Sequence, residues 1–194
     1  MASSYDTALS RQPELSYVAP QGFHMNIEKL PQVHYNLQQV NIPPVNGGEV
    51  QLDNRFNSTR TFIPGDGVDY GQLSCTFLID KYFETYRNIV EWIKQINVPE
   101  DGTQFQNLID SQNSAEATTG FGKTMSNIDV YADGPDGKPL MIWNFINCFP
   151  ISVDGPQYDA SSTEVEYLTA TVDFRFHYFT LQTVENGVIS GVKI

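Results

Sequence analysis

The fold of this chain is decided by residues Thr163–Phe179, which read TEVEYLTATVDFRFHYF. The even positions Leu168, Ala170, Val172, Phe174, Phe176 and Tyr178 are apolar. The odd positions Thr169, Thr171, Asp173, Arg175 and His177 are polar. A period of two puts alternate side chains on opposite faces of a strand, so this segment predicts a long strand with one face in a core and the other in water. Such one-sided burial belongs to antiparallel sheets.

The same signal recurs upstream. Phe23, Met25 and Ile27 alternate with His24, Asn26 and Glu28. After Pro31, Val33, Tyr35 and Leu37 open a second run, and Leu73, Cys75, Phe77 and Ile79 form another. Asn41–Gly48 reads as a loop by composition. A weakly patterned hairpin is expected around Val50–Phe62, followed by a turn at Pro64-Gly65-Asp66-Gly67. Ile128 and Val130, then Asp133–Gly137, then Leu140–Phe149 read as strand, turn and strand. Ser152–Thr163 reads as a loop.

The period changes once. Phe83, Tyr86, Val90, Ile93 and Ile96 recur at three and four residues, predicting one helix over about 81–97, with Asp80 as its N-terminal cap and Pro99 just past its end. Glu84, Arg87, Glu91 and Lys94 mark its wet face. Each Arg87–Glu91 or Glu91–Lys94 pair would contribute only about 0.2–0.5 kcal/mol. The expected fold class is therefore mainly β, an antiparallel sandwich or barrel with one flanking helix. Its divisions are an N-terminal arm (1–21), a β domain (22–179) carrying a polar insertion (100–123), and a C-terminal tail (180–194). The expected core is Leu168, Ala170, Val172, Phe174 and Phe176 with Phe77, Tyr86, Val90 and Ile93.

Composition narrows the function. The chain has 194 residues, with 11 Lys and Arg against 23 Asp and Glu, a formal charge of −12. That balance opposes a protein that grips phosphate backbones through basic side chains. Between Val98 and Ala170 stand 11 acidic residues and two basic ones, Lys123 and Lys138. Such a surface either serves solubility or repels a polyanion. No run of 18 apolar residues is present, and Met1–Asp6 lacks the regions of a signal peptide, so assembly in the cytosol is expected. Cys75 and Cys148 sit in apolar runs and read as buried free thiols.

The chemical motifs are weak. Ala117–Thr124 has the tail of a phosphate-binding loop, but it follows polar residues and leads into a strand, so no nucleotide site is expected. His24, His34 and His177 stand isolated on polar strand faces, and Asp66 and Asp69 read as a solvated turn rather than a Ca²⁺ site. No catalytic residue, cofactor or metal is assigned, and the chain is not expected to be an enzyme.

The blocks do resemble a family when taken in order. Phe23–Leu30 with Pro31 and Val40-Asn41-Ile42-Pro43 come first. Phe62–Asp66, Asp69–Leu73, Thr76–Asp80 and Glu91-Trp92-Ile93 follow. Asn147–Ser152, Tyr158-Asp159 and Val165–Phe179 close the series. Together they resemble the tail tube proteins of contractile-tailed phages over roughly residues 22–179. The resemblance implies a β-sandwich with a side helix. Its subunits form six-membered rings whose strands build a shared inner barrel, stacked into a virion tail tube assembled in the host cytoplasm. DNA passes through without specific binding, tail sheath and baseplate proteins are the partners, and no membrane is involved. Under that reading Thr169, Thr171 and Asp173 face the lumen or another wet sheet surface, and Asn46, Glu49, Arg55 and Arg60 are ring-stacking candidates. The resemblance leaves open a baseplate tube initiator or another tube-like virion component. A carbohydrate-binding β-sandwich is the reading from another class, and would need exposed aromatics clustered on one sheet face.

Overall fold

The computed structural model describes residues 18–31, 36–52, 60–97, 103, 124–158, 167–185 and 188–192. In chain order the elements are β1 (Phe23–Ile27), β2 (Leu37–Asn41), β3 (Val45–Leu52), β4 (Thr61–Tyr70), β5 (Leu73–Leu78), α1 (Glu84–Asn97), β6 (Ser126–Asp133), β7 (Pro139–Val153), β8 (Thr169–Arg175), β9 (Tyr178–Glu185) and β10 (Val188–Val192). All pairings are antiparallel. The fold is mainly β with one flanking helix among the described residues, as the alternation demanded.

β7 organises the molecule. Its N-terminal half lies between β6 and β9, and its C-terminal half pairs β8. One sheet therefore runs β1-β6-β7-β9-β10 and a second runs β7-β8-β5-β2, with β7 common to both. The bend falls at Asn147, whose φ is +56, a left-handed conformation in which Asn is better tolerated than most residues. Its amide donates to Asn127 Oδ1 at 3.3 Å, and the His177 amide donates to the Ile146 carbonyl at 3.1 Å. The corner is thus held from both sides.

Here the sequence reading needs correction. Of the strand expected over Thr163–Phe179, residues 163–166 lie outside the described residues, Tyr167 and the half-buried Leu168 precede β8, and the rest is two strands, β8 and β9, broken at Phe176-His177 where β7 bends. Ala170, Val172, Phe174 and Phe176 do point inward. Beyond the break the alternation shifts by one residue. Tyr178 is 49% exposed, while Phe179 packs against the core. Residues 180–185, read as part of a tail, continue β9, and Val188–Val192 pairs back on it. The loop read at Asn41–Gly48 and the turn read at Pro64–Gly67 fall largely within β3 and β4, which form a longer ribbon than expected. The hairpin read at residues 128–149 is present as β6–β7, closed by Gly137 at φ +69.

The core lies between the sheets. Met25, Ile27, Ile128, Val130, Phe145 and Cys148 come from one sheet, and Leu73, Cys75, Phe77, Ala170, Val172 and Phe174 from the other. Both cysteines are free. Cys75 Sγ lies 3.5 Å from Met25 Sδ, and burial raises both thiol pKa values, that of Cys148 to about 12. They behave as small apolar side chains.

Helix α1 begins at Glu84, three residues later than expected. Asp80 accepts from the Tyr82 amide at 3.2 Å and its carbonyl from Phe83 at 3.0 Å, so it closes the reverse turn ahead of the helix instead of capping it. The buried line of the helix is Thr85, Ile89 and Trp92. Tyr86, Ile93 and Ile96 flank it, and Val90, read as core, is only half-buried. Trp92 sits 6.0 Å from Phe174 and donates Nε1–H to the Thr124 carbonyl at 2.9 Å, which meets the usual requirement of a buried indole. The buried Thr85 hydroxyl is likewise satisfied, accepting from Asn36 Nδ2 at 3.3 Å.

Candidate functional site

Two surfaces stand out, and each follows from how the strands are paired. The first is the outer face of the second sheet. Since Cys75, Val172 and Val153 turn inward, their strand neighbours turn outward. The register sets Ser74 beside Asp173 and Thr76 beside Thr171. Thr76 Oγ1 and Thr171 Oγ1 are 3.1 Å apart, and Ser152 Oγ donates to Asp173 Oδ2 at 2.9 Å. The result is a ladder of small hydroxyl side chains crossing from β5 through β8 to β7, with one carboxylate on it. Thr169 is exposed at the end of the row, while Thr171 and Asp173 are half-buried. All three residues read as lumen candidates therefore share one face. Ser74 and Thr76 were legible as the complements of Leu73, Cys75 and Phe77. Ser152 was not, because it was assigned to a loop.

The edges of this sheet matter as much as its face. Among the described residues, β2 pairs only β5, and Phe149–Val153 of β7 pairs only β8. Both outer edges carry backbone donors and acceptors with no described strand alongside. Four strands alternate in direction across the sheet, so the two free edges run antiparallel to each other.

The acidic block is distributed differently from the simple electrostatic reading. Asp129 and Asp133 lie on the other sheet. Asp133 accepts from His24 Nδ1 at 2.8 Å, and the His24 ring stacks on Tyr131 with centroids 4.3 Å apart. Asp129 accepts a hydrogen bond from Asn144. Burial, then the charge of Glu28, raises the Asp129 pKa. Asp136 lies in the β6–β7 turn and Asp154 just past β7. The other seven acids of the block are outside the described residues. Among the described strand residues of the hydroxyl face, the charge comes from Asp173, with Arg175 at the margin.

The second surface is the β3–β4 ribbon. Every residue of β3 is exposed, as are all of β4 except Gly65 and Tyr70. Val50 stands opposite Ile63, and Leu52 opposite Thr61. Phe62 is 56% and Val68 57% exposed. An isolated two-stranded ribbon is marginal in water, so apolar side chains on both its faces mark a segment that packs on something. Gly48 and Gly65 face each other across it, where a Cβ on Gly65 would come within 3.0 Å of the Gly48 carbonyl carbon. Asn46 and Glu49 lie on β3, and Arg60 just ahead of β4. Arg55 falls outside the described residues. Asp66 and Asp69, read as a turn, are strand residues of β4.

Among the described residues no group of His, Cys, Asp or Glu is arranged to hold a metal ion. No helix there is long and apolar enough to cross a membrane.

This two-layer fold with a side helix is similar to that of chains in contractile injection systems. The fold matches a chain in the anti-feeding prophage cap, described as a tube-terminating cap, at TM-score 0.59 and 16% identity, covering 95% of this chain and 100% of that one. It also matches a chain of the sheath–tube complex of the PVC extracellular contractile injection system in its extended state. There the TM-score is 0.56 and the identity 16%, again covering 95% and 100%. A chain of the PVC sheath/tube terminator matches at 0.54 and 16%, covering 87% and 99%. No curated protein matches by sequence. The profile described as phage tail tube protein matches residues 2–182. The chain belongs to the phage tail tube protein family, and its role is structural, as a tube component.

Proposed function

We propose that this protein forms six-membered rings that stack into the inner tube of a contractile tail, a channel for genome delivery. The observation that carries the reading is the second sheet, with both edges open among the described residues and strand directions alternating over four strands. Setting β7 of one copy beside β2 of the next continues the antiparallel pattern, and a ring of such copies closes into a barrel with no free edge. The number six comes from the family resemblance. In that ring the core face of each sheet stays inside its own subunit, and Thr169, Thr171 and Asp173 line the channel with Ser74, Thr76 and Ser152.

Such a wall suits passage of DNA. Short hydroxyl side chains leave the bore smooth, and Asp173 repels phosphates within about 8 Å at physiological salt. No lysine or arginine cluster stands there to hold the duplex. The β3–β4 ribbon, with Asn46, Glu49 and Arg60, makes the contact between rings. The first sheet and α1 then face outward, toward sheath, with baseplate proteins at the tube end. The place of action is the virion tail, away from membranes, after assembly in the host cytoplasm.

Electron microscopy of the purified protein tests this. Hexameric rings or hollow filaments are expected. A monomer that persists at high concentration would instead fit a tube initiator or terminator. The carbohydrate-binding reading loses its premise. Among the described residues the exposed aromatics Phe62, Tyr82, Tyr158, Tyr167 and Tyr178 are scattered over the ribbon, two loops, the segment before β8 and β9, not gathered on one sheet face.

A further inference from the structure

The ribbon's blade is bare, but its root is locked. β4 ends at Tyr70, whose ring lies 5.6 Å from Phe176 and 5.5 Å from Phe179, at the corner where β8 passes into β9. Phe176 and Phe179 in turn pack on Phe145 of β7 at 4.9 and 5.3 Å. Arg175 Nη1 donates to the Tyr70 carbonyl at 3.3 Å. On the next residue, the Gly71 amide donates to the Pro44 carbonyl at 3.1 Å, tying the two legs of the ribbon together where they leave the sandwich. The approach is too close for any other residue. A Cβ on Gly71 would stand 2.7 Å from Pro44 Cδ and 3.1 Å from Cγ. Pro43, just before it, is buried. Two consecutive prolines restrict φ in the other leg. Within the blade, a Cβ on Gly47 or Gly67 would meet nothing within 4 Å, and the close approach is confined to Gly48 and Gly65.

We propose that this root is an aiming device: Gly71, Pro44 and Arg175 are positioning residues that fix the angle of the β3–β4 ribbon before it docks on a second copy of this chain. The inference rests on the stacking role given above to the ribbon. It adds that the ribbon enters assembly already oriented, so little orientational freedom is lost on docking. The occupant is a second copy because the proposed tube of this tail tube family member stacks copies of one chain, and no described part of its own chain covers the exposed apolar residues Val50, Leu52, Phe62, Ile63 and Val68. A ring stacked head to tail presents the same surface to each neighbour in turn.

The test compares Gly71→Ala with Gly155→Ala, the same change at the root and at a position outside the ribbon where a Cβ would meet nothing within 4 Å. Filament yield by sedimentation and microscopy is read beside thermal melting of unassembled protein. Gly155→Ala should assemble like wild type. Gly71→Ala should melt within a few degrees of wild type, yet raise the concentration needed for filaments at least tenfold. Adding Pro44→Ala to Gly71→Ala removes Cγ and Cδ but keeps the carbonyl that accepts from residue 71, and should restore filaments in part, the lost φ restriction leaving the remainder. Spin labels at Val50→Cys and Glu91→Cys give an assembly-free reading, a narrow distance distribution in wild type and a broad one in Gly71→Ala. Normal assembly of Gly71→Ala, no rescue by Pro44→Ala, or a broad distribution in wild type would each overturn the aiming role. Should wild type itself form no filaments under any condition, the tube reading fails, while the spin-label comparison still decides whether the root is rigid.

Discussion

Lys29 shows how a single residue can sit against the general pattern. Its Nζ is buried without a hydrogen-bond partner and lies 4.9 Å from the centroid of the Trp92 ring. Burial lowers its pKa from 10.5 to about 8. Below pH 8 the amine is charged in both folded and unfolded chains, and the full cost of burying that charge is present. Between pH 8 and 10.5 the unfolded chain binds more protons, so this group's contribution to stability rises with pH and then levels off. Lys29→Met should therefore raise the melting temperature at pH 7, by an amount equivalent to about 1 kcal/mol once the side chain's partial exposure is discounted. The gap between variant and wild type should narrow as pH climbs from 8 to 10.5. A variant less stable than wild type at pH 7 would mean that the contact of the ammonium with Trp92 outweighs its desolvation. Nothing in the local sequence marks Lys29, because its environment is assembled from β1 and α1, some 60 residues apart.

At the scale of the element, α1 was legible in existence and length but not in orientation. Its apolar residues form a stripe wide enough to hold two possible centre lines, one through Phe83, Tyr86, Val90 and Ile93, the other through Ile89, Trp92 and Ile96. The second is the buried one because Trp92 finds both a ring partner in Phe174 and a carbonyl for its N–H in Thr124. Trp92→Ala should cost about 3–5 kcal/mol by urea unfolding, the range for a large aromatic removed from a core. Val90→Ala, on the half-buried flank, should cost well under half of that. Equal losses would place the helix axis differently against the sheets. The full length of the ribbon, expected only as a hairpin around Val50–Phe62, was missed for the opposite reason. Asn46-Gly47-Gly48 and Pro64-Gly65-Asp66-Gly67 carry turn composition, yet they pair across a ribbon whose facing glycines allow the two backbones to approach.

For the whole molecule, the decisive property is the direction in which each sheet faces. The net charge of −12 suggested an acidic channel, but Asp129 and Asp133 belong to the sheet away from the hydroxyl face. On the proposed bore, Asp173 is the acid that tests the reading. Asp173→Lys should leave tubes intact while making them retain duplex DNA at low salt and release it as salt rises, because phosphate attraction falls steeply with ionic strength. Folded monomer that no longer assembles would instead place Asp173 at a subunit contact. Intact tubes that ignore DNA would remove it from the bore.

The sequence by itself determined the class of the fold, the inward residues of most strands, one helix and, through ordered blocks from Phe23 to Phe179, the family. Those are local properties, since a period of two or of 3.6 fixes which side chains share a face. Pairing is not local. That β7 belongs to two sheets, that the last strand breaks at Phe176-His177, that β2 and the end of β7 are left open, and that the ribbon is aimed by contacts among Pro44, Gly71 and Arg175 were decided only by tertiary structure. In each case the deciding hydrogen bond or contact joins residues tens to more than a hundred positions apart, and such closures leave no periodic trace in the chain.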